Sequence, residues 1–370
     1  MKCIEVIKYL EDWAPKEIAW PKDNVGLQIG SAQSKIKNIM LSLDLTEQVI
    51  DRAIKNKCNL LITHHPLLFK PLKKINTEND SVSRLIEKLI KNDLILYSAH
   101  TNLDFTKDGV SYQLAKKLKL QKINFLVNLS ENQVKLTVFV PEKNVADVAD
   151  AINQAGGGII GEYSNCSFRI PGTGTFKGSD AASPTIGVKG KLEYVNEIRL
   201  EVLVDSWKMN KVISSMKSAH PYDEVAYDLY PLKNENINYG IGTIGELSAS
   251  MRKQEFLDHV SKSLKVKIFR YSNGKNGKIK KVAVCGGSCS DLLEKAANAG
   301  ADAFITADVK YHSFRDAEDK ILFIDAGHYE TEIHTLDAVQ KKLNNFLSTG
   351  SRIRVYKYSG STNPIIFYNN

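Results

Sequence analysis

Two adjacent histidines, His64 and His65, follow the apolar run Leu60–Thr63 and precede a proline. The run predicts a buried strand that presents two imidazoles at its carboxyl end. Open α/β sheets place their functional sites at that end of their strands. Because further candidate ligands follow downstream, we favour a metal-binding or catalytic role for the pair. The alternative is one imidazole packed in the core and one facing solvent.

A similar pattern occurs twice more along the chain. The segment 94–104 aligns without a gap on the segment 322–332, and in both an apolar run ends in a histidine with a carboxylate four residues later. The aligned pairs are His100 with His328 and Asp104 with Glu332. We infer two degenerate copies of one α/β unit that face each other and share a site, with chance similarity as the alternative. Ala307 and Asp308 stand where the second copy would carry the histidine pair, so the predicted site is asymmetric.

Imidazole and carboxylate side chains together form binding sites for borderline divalent metals. The candidate ligands at predicted strand ends are His64, His65, His100, Asp104, His328 and Glu332. Three imidazoles and two carboxylates would complete two metal sites and leave one histidine over. Two ions can lower the pKa of a water held between them, which then attacks an electrophilic carbon or phosphorus. The sequence has no nucleophile elbow of serine hydrolases and no phosphate-binding loop.

The elements around these residues alternate between strands and helices. In the first part of the chain the predicted order is helix 4–13, strand 39–44, helix 46–57, the histidine strand, helix 83–91 and strand 94–98. A second series has strand 281–285, helix 290–298 and strand segments 301–308 and 321–328. This alternation predicts α/β structure with a mostly parallel sheet.

The middle of the chain has a different pattern. Residues 134–232 contain strand–helix–strand twice, which predicts a ferredoxin-like α+β domain inserted into the α/β part. The predicted boundaries are 1–130 for an N-terminal α/β lobe, 131–235 for the insert and 236–370 for a C-terminal α/β lobe. Polar, glycine-rich joins near 128–132 and 234–245 are expected to connect them.

Bulk properties restrict the partners and the compartment. No stretch of the 370 residues approaches the roughly 20 apolar residues that span a bilayer, so we expect no membrane partner. We expect no secretion signal in the first residues, and the five cysteines are scattered, so we expect free thiols in a reducing cytoplasm. The net charge of +8 comes from dispersed lysines and gives only weak support for a nucleic-acid partner.

Four motifs together resemble the Nif-three-like family, whose members are also described as homologues of a type 2 GTP cyclohydrolase I. The motifs are Asp23–Leu27, Thr63–Pro66, Ala99–Asp104 and Gly327–Glu332. The segment His220–Glu224 is similar to the PII- or CutA-like domain of the longer bacterial members. The resemblance implies two similar α/β lobes that form one metal-site domain, a PII/CutA-like insert, a dinuclear metal centre and a toroidal homohexamer.

The resemblance also implies roles for the candidate residues. The implied ligands of two divalent ions per subunit are His64, His65, Asp104, His328 and Glu332. Zinc is the favoured metal, with manganese or iron as alternatives. His100 then remains, either as a residue that supports the ligands or as one that takes part in acid–base chemistry.

Two functions follow as expectations. The first is a GTP cyclohydrolase-like reaction on a nucleotide, in which activated water attacks C8 of the guanine ring and His100 protonates the leaving nitrogen. The second is non-enzymatic: a hexameric metal-binding ring that acts as a regulatory scaffold or nucleic-acid clamp.

Overall fold

The computed structural model of the chain describes residues 1–181, 185–275, 277–347 and 352–368. The fold is mixed α/β with several sheets. The chain forms two compact units, of which the first comprises Met1–Val127 with Tyr239–Asn370 and the second comprises Asn128–Asn238. Within the described ranges, no helix combines the length and the apolar character needed to cross a membrane.

The strands are β1 (Gly26–Ile29), β2 (Ile39–Ser42), β3 (Leu60–Thr63), β4 (Ile95–Ser98), β5 (Gln121–Ser130), β6 (Gln133–Pro141), β7 (Phe168–Lys177), β8 (Leu192–Asp205), β9 (Tyr227–Leu232), β10 (Glu235–Arg252), β11 (Arg270–Tyr271), β12 (Lys278–Val284), β13 (Ala303–Thr306), β14 (Leu322–Asp325) and β15 (Val355–Lys357). The α-helices are α1 (Cys3–Trp13), α2 (Glu47–Lys55), α3 (Ser81–Lys91), α4 (Thr101–Asp104), α5 (Val110–Lys117), α6 (Val145–Gln154), α7 (Met209–Ala219), α8 (Lys253–Leu264), α9 (Leu293–Asn298), α10 (Tyr311–Asp316), α11 (His328–Glu332) and α12 (Thr335–Leu347). Short 3-10 helices span Lys16–Ile18, Glu142–Asn144, Ser206–Lys208 and Ser290–Leu292.

The first sheet has the strand order β1-β4-β3-β2-β15, and all neighbours are parallel except β1 with β4. Every residue of β2, β3 and β4 is buried because helices cover both faces, as is usual for parallel sheets. The register pairs Ser42 with Thr63 and Thr63 with Ser98. The carboxyl ends of the three strands therefore lie side by side at one edge.

Polar caps begin two of the helices that cover this sheet. The Thr46 side chain accepts a hydrogen bond from the Val49 N–H at the start of α2, as its sequence position predicts. The Asp80 side chain does the same for the Ser83 N–H at the start of α3. Such caps satisfy amide groups that have no partner inside the helix.

The second sheet has the order β11-β14-β13-β12-β10-β5. Its central strands β12, β13 and β14 are parallel, and β11 and β10 flank them in antiparallel orientation. As in the first sheet, three parallel strands end side by side, here with Thr306 paired to Asp325. Helix α5 packs against both sheets, with Val110 in one hydrophobic core and Leu114 in the other.

The second unit contains an antiparallel sheet with the order β7-β8-β6-β9, and its elements follow one another as β-α-β-β-α-β. Alternate residues of β6 and β8 face helices α6 and α7 and form the core, which is the two-residue period of a sheet covered on one face. The strand residues in this core are Leu136, Val138, Val140, Leu200, Val202 and Val204.

The predicted joins between the domains lie mostly in strands. Most of 128–132 and 234–245 belongs to the long strands β5 and β10. A Cβ at Gly240 would lie 2.5 Å from Phe125 Cγ, and one at Gly245 would lie 2.9 Å from the Gln121 carbonyl oxygen. These glycines therefore permit close approach of the chain to a neighbouring strand and do not mark flexible segments.

Candidate metal centre

All six candidate residues come from the carboxyl edges of the two sheets in the first unit. His64 and His65 follow β3 directly. His100 follows β4 and precedes the one-turn helix α4, which ends at Asp104. In the second sheet, α11 follows β14 and both begins and ends with a candidate ligand, His328 and Glu332. The parallel strands of both sheets thus supply side chains to one site.

Glu332 is the carboxylate on which three imidazoles converge. Its Oε2 lies 3.0 Å from His65 Nε2, and its Oε1 lies 3.2 Å from His328 Nε2 and 3.7 Å from His64 Nε2. The residue itself is only 2% exposed. A buried carboxylate surrounded by imidazole nitrogen atoms is a suitable binding environment for a divalent cation.

Asp104 and His100 both lie next to His64. Asp104 Oδ1 is 3.6 Å from His64 Nε2. The ring nitrogens of His64, His65 and His100 lie within 4.8 Å of one another, and so do ligand atoms of His65, His328 and Glu332. His100 is thus as close to the other imidazoles as the ligands implied by the family resemblance. Its assignment to proton transfer stays a prediction.

Several polar atoms in this cluster are buried without a hydrogen bond. They are His64 Nε2, His65 Nε2, Asp104 Oδ1 and Glu332 Oε2. Leaving such atoms unpaired in a protein interior is unfavourable, and each one normally has an explanation. A cation bound between them would accept their lone pairs. The residues present therefore fit a divalent metal.

The four imidazoles are held by their other ring nitrogen, Nδ1. The Nδ1 contacts are His64 with the Ala99 carbonyl oxygen at 2.7 Å, His65 with Asp44 Oδ1 at 2.7 Å, His100 with Asp23 Oδ1 at 2.9 Å and His328 with Asp308 Oδ2 at 2.6 Å. Carbonyl and carboxylate oxygens accept, so Nδ1 donates, and Nε2 is the ring nitrogen of each imidazole that faces the other ligands and could bind a metal. Metal-binding histidines usually have this second contact, which fixes the tautomer and the ring orientation.

The three aspartates in these contacts were missed by sequence reasoning. Asp44 and Asp308 each stand two residues beyond a parallel strand, so the rule that located the histidines could have found them as well. Asp308 has φ +55°, a left-handed conformation that aspartate adopts more readily than most residues. Asp23 precedes β1 and reaches His100 only through the tertiary fold.

The charges of these groups depend on one another. Burial opposes the ionisation of Glu332, but the surrounding imidazoles hold its pKa well below the usual range. Burial also opposes the charge on His65, yet the hydrogen bond to Asp44 and the close Glu332 carboxylate raise its pKa to about 10. For His328, contacts with Glu332 and Asp308 likewise outweigh burial and raise the pKa to about 9. A metal that binds these imidazoles must displace protons at neutral pH.

For Asp104 and His64, burial determines the direction of the pKa shift, so both groups favour their neutral forms. Burial, assisted by the negative charge of Glu332, raises the pKa of Asp104 well above its usual value. Burial lowers the pKa of His64, so that imidazole is neutral and ready to act as a ligand. A bound cation would favour the ionised form of Asp104.

The comparisons with known proteins agree with the motifs at this site. The model of the Duf34/NIF3 (NGG1p interacting factor 3) family matches residues 1–364. The chain belongs to the Duf34/NIF3 family. This confirms the family resemblance inferred from the four motifs.

Relatives of this Duf34/NIF3 chain match it over most of their length. A Halalkalibacterium halodurans protein named GTP cyclohydrolase 1 type 2 homolog is 42% identical over 344 residues, which cover 92% of each chain. A Bacillus subtilis protein of the same name is 38% identical over 366 residues, or 98% of each. The crystal structure of a Bacillus cereus protein related to NIF3 matches with a TM-score of 0.88 at 38% identity, covering 100% of this chain and 99% of that one.

In this Duf34/NIF3 chain, Gly287 lies in a turn directly beside Glu332 at the candidate metal centre. Gly287 has φ +68°, and a Cβ at this position would lie 2.3 Å from Glu332 Oε1. The Gly287 N–H donates to Thr331 Oγ1 at 3.1 Å, and its carbonyl accepts the Ala307 N–H at 2.9 Å. Glycine is therefore required where the backbone passes directly beside the carboxylate.

Replacing Asp44 with asparagine is expected to weaken zinc binding about 10- to 100-fold, as is typical when the partner of a metal-binding imidazole is changed. The amide oxygen can still accept from His65 Nδ1, but it cannot stabilise the ring electrostatically as a carboxylate does. Competition with a chromogenic chelator measures the zinc affinity. Asp51→Asn, on an exposed residue paired with Lys88, is the matched control. Equal zinc affinities of Asp44→Asn and wild type would contradict this role for Asp44.

In the second unit of this Duf34/NIF3 chain, His220 is a buried histidine whose two ring nitrogens both make hydrogen bonds to the backbone. Its Nε2–H donates to the Phe139 carbonyl oxygen at 3.0 Å, and its Nδ1 accepts the Tyr222 N–H at 3.1 Å. The following residues Tyr222, Asp223 and Glu224 line a cavity of about 850 Å³. Burial lowers the pKa of His220, although the contact with Phe139 and the charge of Glu197 oppose this effect.

His220 is expected to make stability depend on pH. Because its folded pKa lies below the unfolded value of about 6.5, the unfolded chain binds the proton first. Stability from this residue is therefore complete above about pH 6.5 and falls as the pH drops towards the folded pKa. Thermal unfolding of wild type and His220→Gln across this range measures the effect. As the pH falls, we expect wild type to lose stability more steeply than His220→Gln. Parallel pH profiles of the two proteins would contradict this role of His220.

Proposed function

We propose that this Duf34/NIF3 chain is a metal-dependent hydrolase whose substrate class is a nucleotide. The main supporting observation is the set of buried imidazole and carboxylate atoms without hydrogen bonds, in a cluster whose imidazoles are each held through Nδ1. The nucleotide is suggested by the name GTP cyclohydrolase 1 type 2 homolog of the relatives. In this proposal two divalent ions, with zinc favoured, bind to His64, His65, Asp104, His328 and Glu332.

Bound divalent ions supply Lewis acidity and lower the pKa of water. The chain's residues hold the ligands in place and can move a proton. His100 Nδ1 lies 2.9 Å from both oxygens of Asp23, which also accepts from the Thr101 N–H and hydroxyl. Burial opposes the charge on Asp23, but these hydrogen bonds lower its pKa to about 2. The resulting carboxylate accepts from His100 Nδ1 and orients the ring, and we assign to His100 Nε2 the delivery of a proton to the leaving nitrogen.

We also propose that the two α/β sheets are lobes of one metal-site domain, and that the second unit is a ferredoxin-like insert of the PII or CutA type. The matching order of parallel strands in the two sheets supports the first part. The β-α-β-β-α-β order of the second unit supports the other. Assembly into a homohexamer stays a prediction. Light scattering coupled to size-exclusion chromatography tests it by measuring the molar mass of the assembly.

The function is tested by incubating the protein, loaded with zinc, manganese or iron, with a panel of nucleotides that includes GTP. Products are identified by liquid chromatography and mass spectrometry, with and without a chelator. We expect a product whose formation the chelator abolishes. No chelator-sensitive product with any metal and nucleotide would contradict the proposed function.

Replacing His100 with glutamine is expected to lower kcat about 100-fold or more while the metal content stays unchanged, since removing a general acid commonly has an effect of this size. His312→Gln, on an exposed histidine of α10, is the matched control. Metal content is measured by atomic emission on the same samples. Loss of metal from His100→Gln would instead make His100 a ligand.

A further inference from the structure

Two of the five cysteines lie in contact beside the candidate metal centre. Cys285 follows β12, Cys289 precedes the 3-10 helix Ser290–Leu292, and both are free thiols. Their sulfur atoms are 2.6 Å apart. Four positions separate them in the sequence, which by itself predicted only scattered thiols. The tertiary structure therefore creates a dithiol pair.

The two cysteines differ in exposure. Cys285 is 2% exposed, and its sulfur accepts from the Ser111 hydroxyl at 3.8 Å. Cys289 is partly exposed, and its S–H donates to the Gly286 carbonyl oxygen at 3.5 Å. A reagent from solution therefore reaches Cys289 first, and Cys285 is positioned to react with it afterwards.

We propose that Cys285 and Cys289 are a modification site that forms a reversible disulfide, and that this disulfide changes the affinity of the metal centre. The second half of the proposal rests on the proposed metal binding, whereas the disulfide itself does not. The bond would close a ring of five residues with Gly287 at its centre. A ring this short restricts the backbone of each residue inside it.

The coupling to the metal centre runs through Gly287. This residue contacts the Glu332 carboxylate so closely that a Cβ would lie 2.3 Å from Glu332 Oε1. The Thr306 hydroxyl donates to the Gly287 carbonyl oxygen at 2.8 Å and accepts the Cys289 N–H at 3.1 Å. A shift of Cys289 on disulfide formation would therefore move the turn that positions Glu332.

A hydroperoxide serves as the oxidant that forms this disulfide. The Cys289 thiolate attacks the O–O bond of hydrogen peroxide, which gives a sulfenic acid and releases hydroxide. The Cys285 sulfur then attacks the sulfenic sulfur, so that the S–S bond forms and water leaves. Two electrons pass from the dithiol to the peroxide, and a dithiol reductant returns them by thiol–disulfide exchange.

The local environment sets the rate of this reaction. The contact with Cys285, together with burial, raises the pKa of Cys289 well above its usual value. Since the thiolate is the nucleophile, we expect slow oxidation at neutral pH and faster oxidation at alkaline pH.

The disulfide is tested by treating the full-length protein with hydrogen peroxide, then denaturing it and counting thiols. We expect wild type and the control Cys166→Ser each to lose two thiols, which dithiothreitol restores, and peptide mass spectrometry to link Cys285 to Cys289. Cys289→Ser is expected to lose no dithiothreitol-recoverable pair. Retention of both thiols in wild type, or a link between other cysteines, would overturn the proposal.

The coupling is tested by measuring zinc affinity of the oxidised and reduced protein with a competing chelator. We expect at least about a tenfold difference in wild type and in Cys166→Ser, since displaced supporting groups commonly change affinity this much, and none in Cys289→Ser. Equal zinc affinities in the two states would overturn the coupling even if the disulfide forms. Zinc binding in neither state would contradict the proposed function and the coupling, while the thiol count still decides the disulfide.

Discussion

Replacing Glu332 with glutamine is expected to weaken zinc binding by more than about 100-fold, because changes to supporting groups alone already weaken binding 10- to 100-fold. Glu332 is the carboxylate that three imidazoles approach, with His65 Nε2 at 3.0 Å and His328 Nε2 at 3.2 Å. Glutamine has nearly the same shape but no negative charge, and its NH₂ group cannot act as a ligand. The substitution therefore removes the charge at the centre of the cluster without opening a cavity.

Equilibrium dialysis against buffered zinc, followed by atomic emission, measures this loss. Circular dichroism checks that Glu332→Gln keeps the secondary structure of wild type. The matched control is Glu318→Gln, the same change at an exposed residue that pairs with Arg315. Zinc binding by Glu332→Gln at the wild-type level would exclude Glu332 as a ligand, and with it the proposed arrangement of the centre.

Replacing Gly287 with alanine is expected to lower the free energy of unfolding by about 3 kcal/mol and to weaken zinc binding. At φ +68° the new side chain adds about 1 kcal/mol of backbone strain. Its Cβ would lie 2.3 Å from Glu332 Oε1, and such overpacking adds about 2 kcal/mol. Relief requires the Glu332 carboxylate to move away from the imidazoles. One methyl group should therefore affect both stability and metal affinity.

The control variant Gly300→Ala separates the effect of backbone strain from the effect of the close contact with Glu332. Gly300 has φ +75°, but a Cβ there would meet no atom within 4 Å. This control should lose only about 1 kcal/mol, through backbone strain, and should bind zinc like wild type. Urea unfolding gives the free energies, and chelator competition gives the zinc affinities. If Gly287→Ala and Gly300→Ala behave alike, the close contact between Gly287 and Glu332 has no energetic consequence.

Much of the fold could be read from local patterns in the sequence. Short apolar runs predicted the buried strands around Leu60–Thr63 and Leu322–Asp325, and alternation with helices predicted α/β structure with mostly parallel strands. Thr46 predicted the start of α2 because a capping side chain acts within one helical turn. Glycine favours both loops and close strand contacts, so the sequence left open which of the two the joins at 128–132 and 234–245 form. Only the neighbouring strand decides between the two.

The sequence by itself determined which side chains stand at strand ends, namely His64, His65 and His100 in the first series and His328 in the second. Strand ends are set by neighbouring residues, so local composition is enough to locate them. Family resemblance then separated the implied ligands from His100, a distinction that residue types alone left open.

Only the tertiary structure decided which groups face one another. It brought Asp44 and Asp308 to the imidazoles as hydrogen-bond acceptors, and it placed the Cys285 and Cys289 sulfurs in contact. These contacts join atoms of different strands and turns over a few ångströms, and such distances depend on how sheets and turns pack. Sequence spacing describes positions along one strand or helix. The convergence on Glu332 of imidazoles from both halves of the chain is therefore a property of the packed fold.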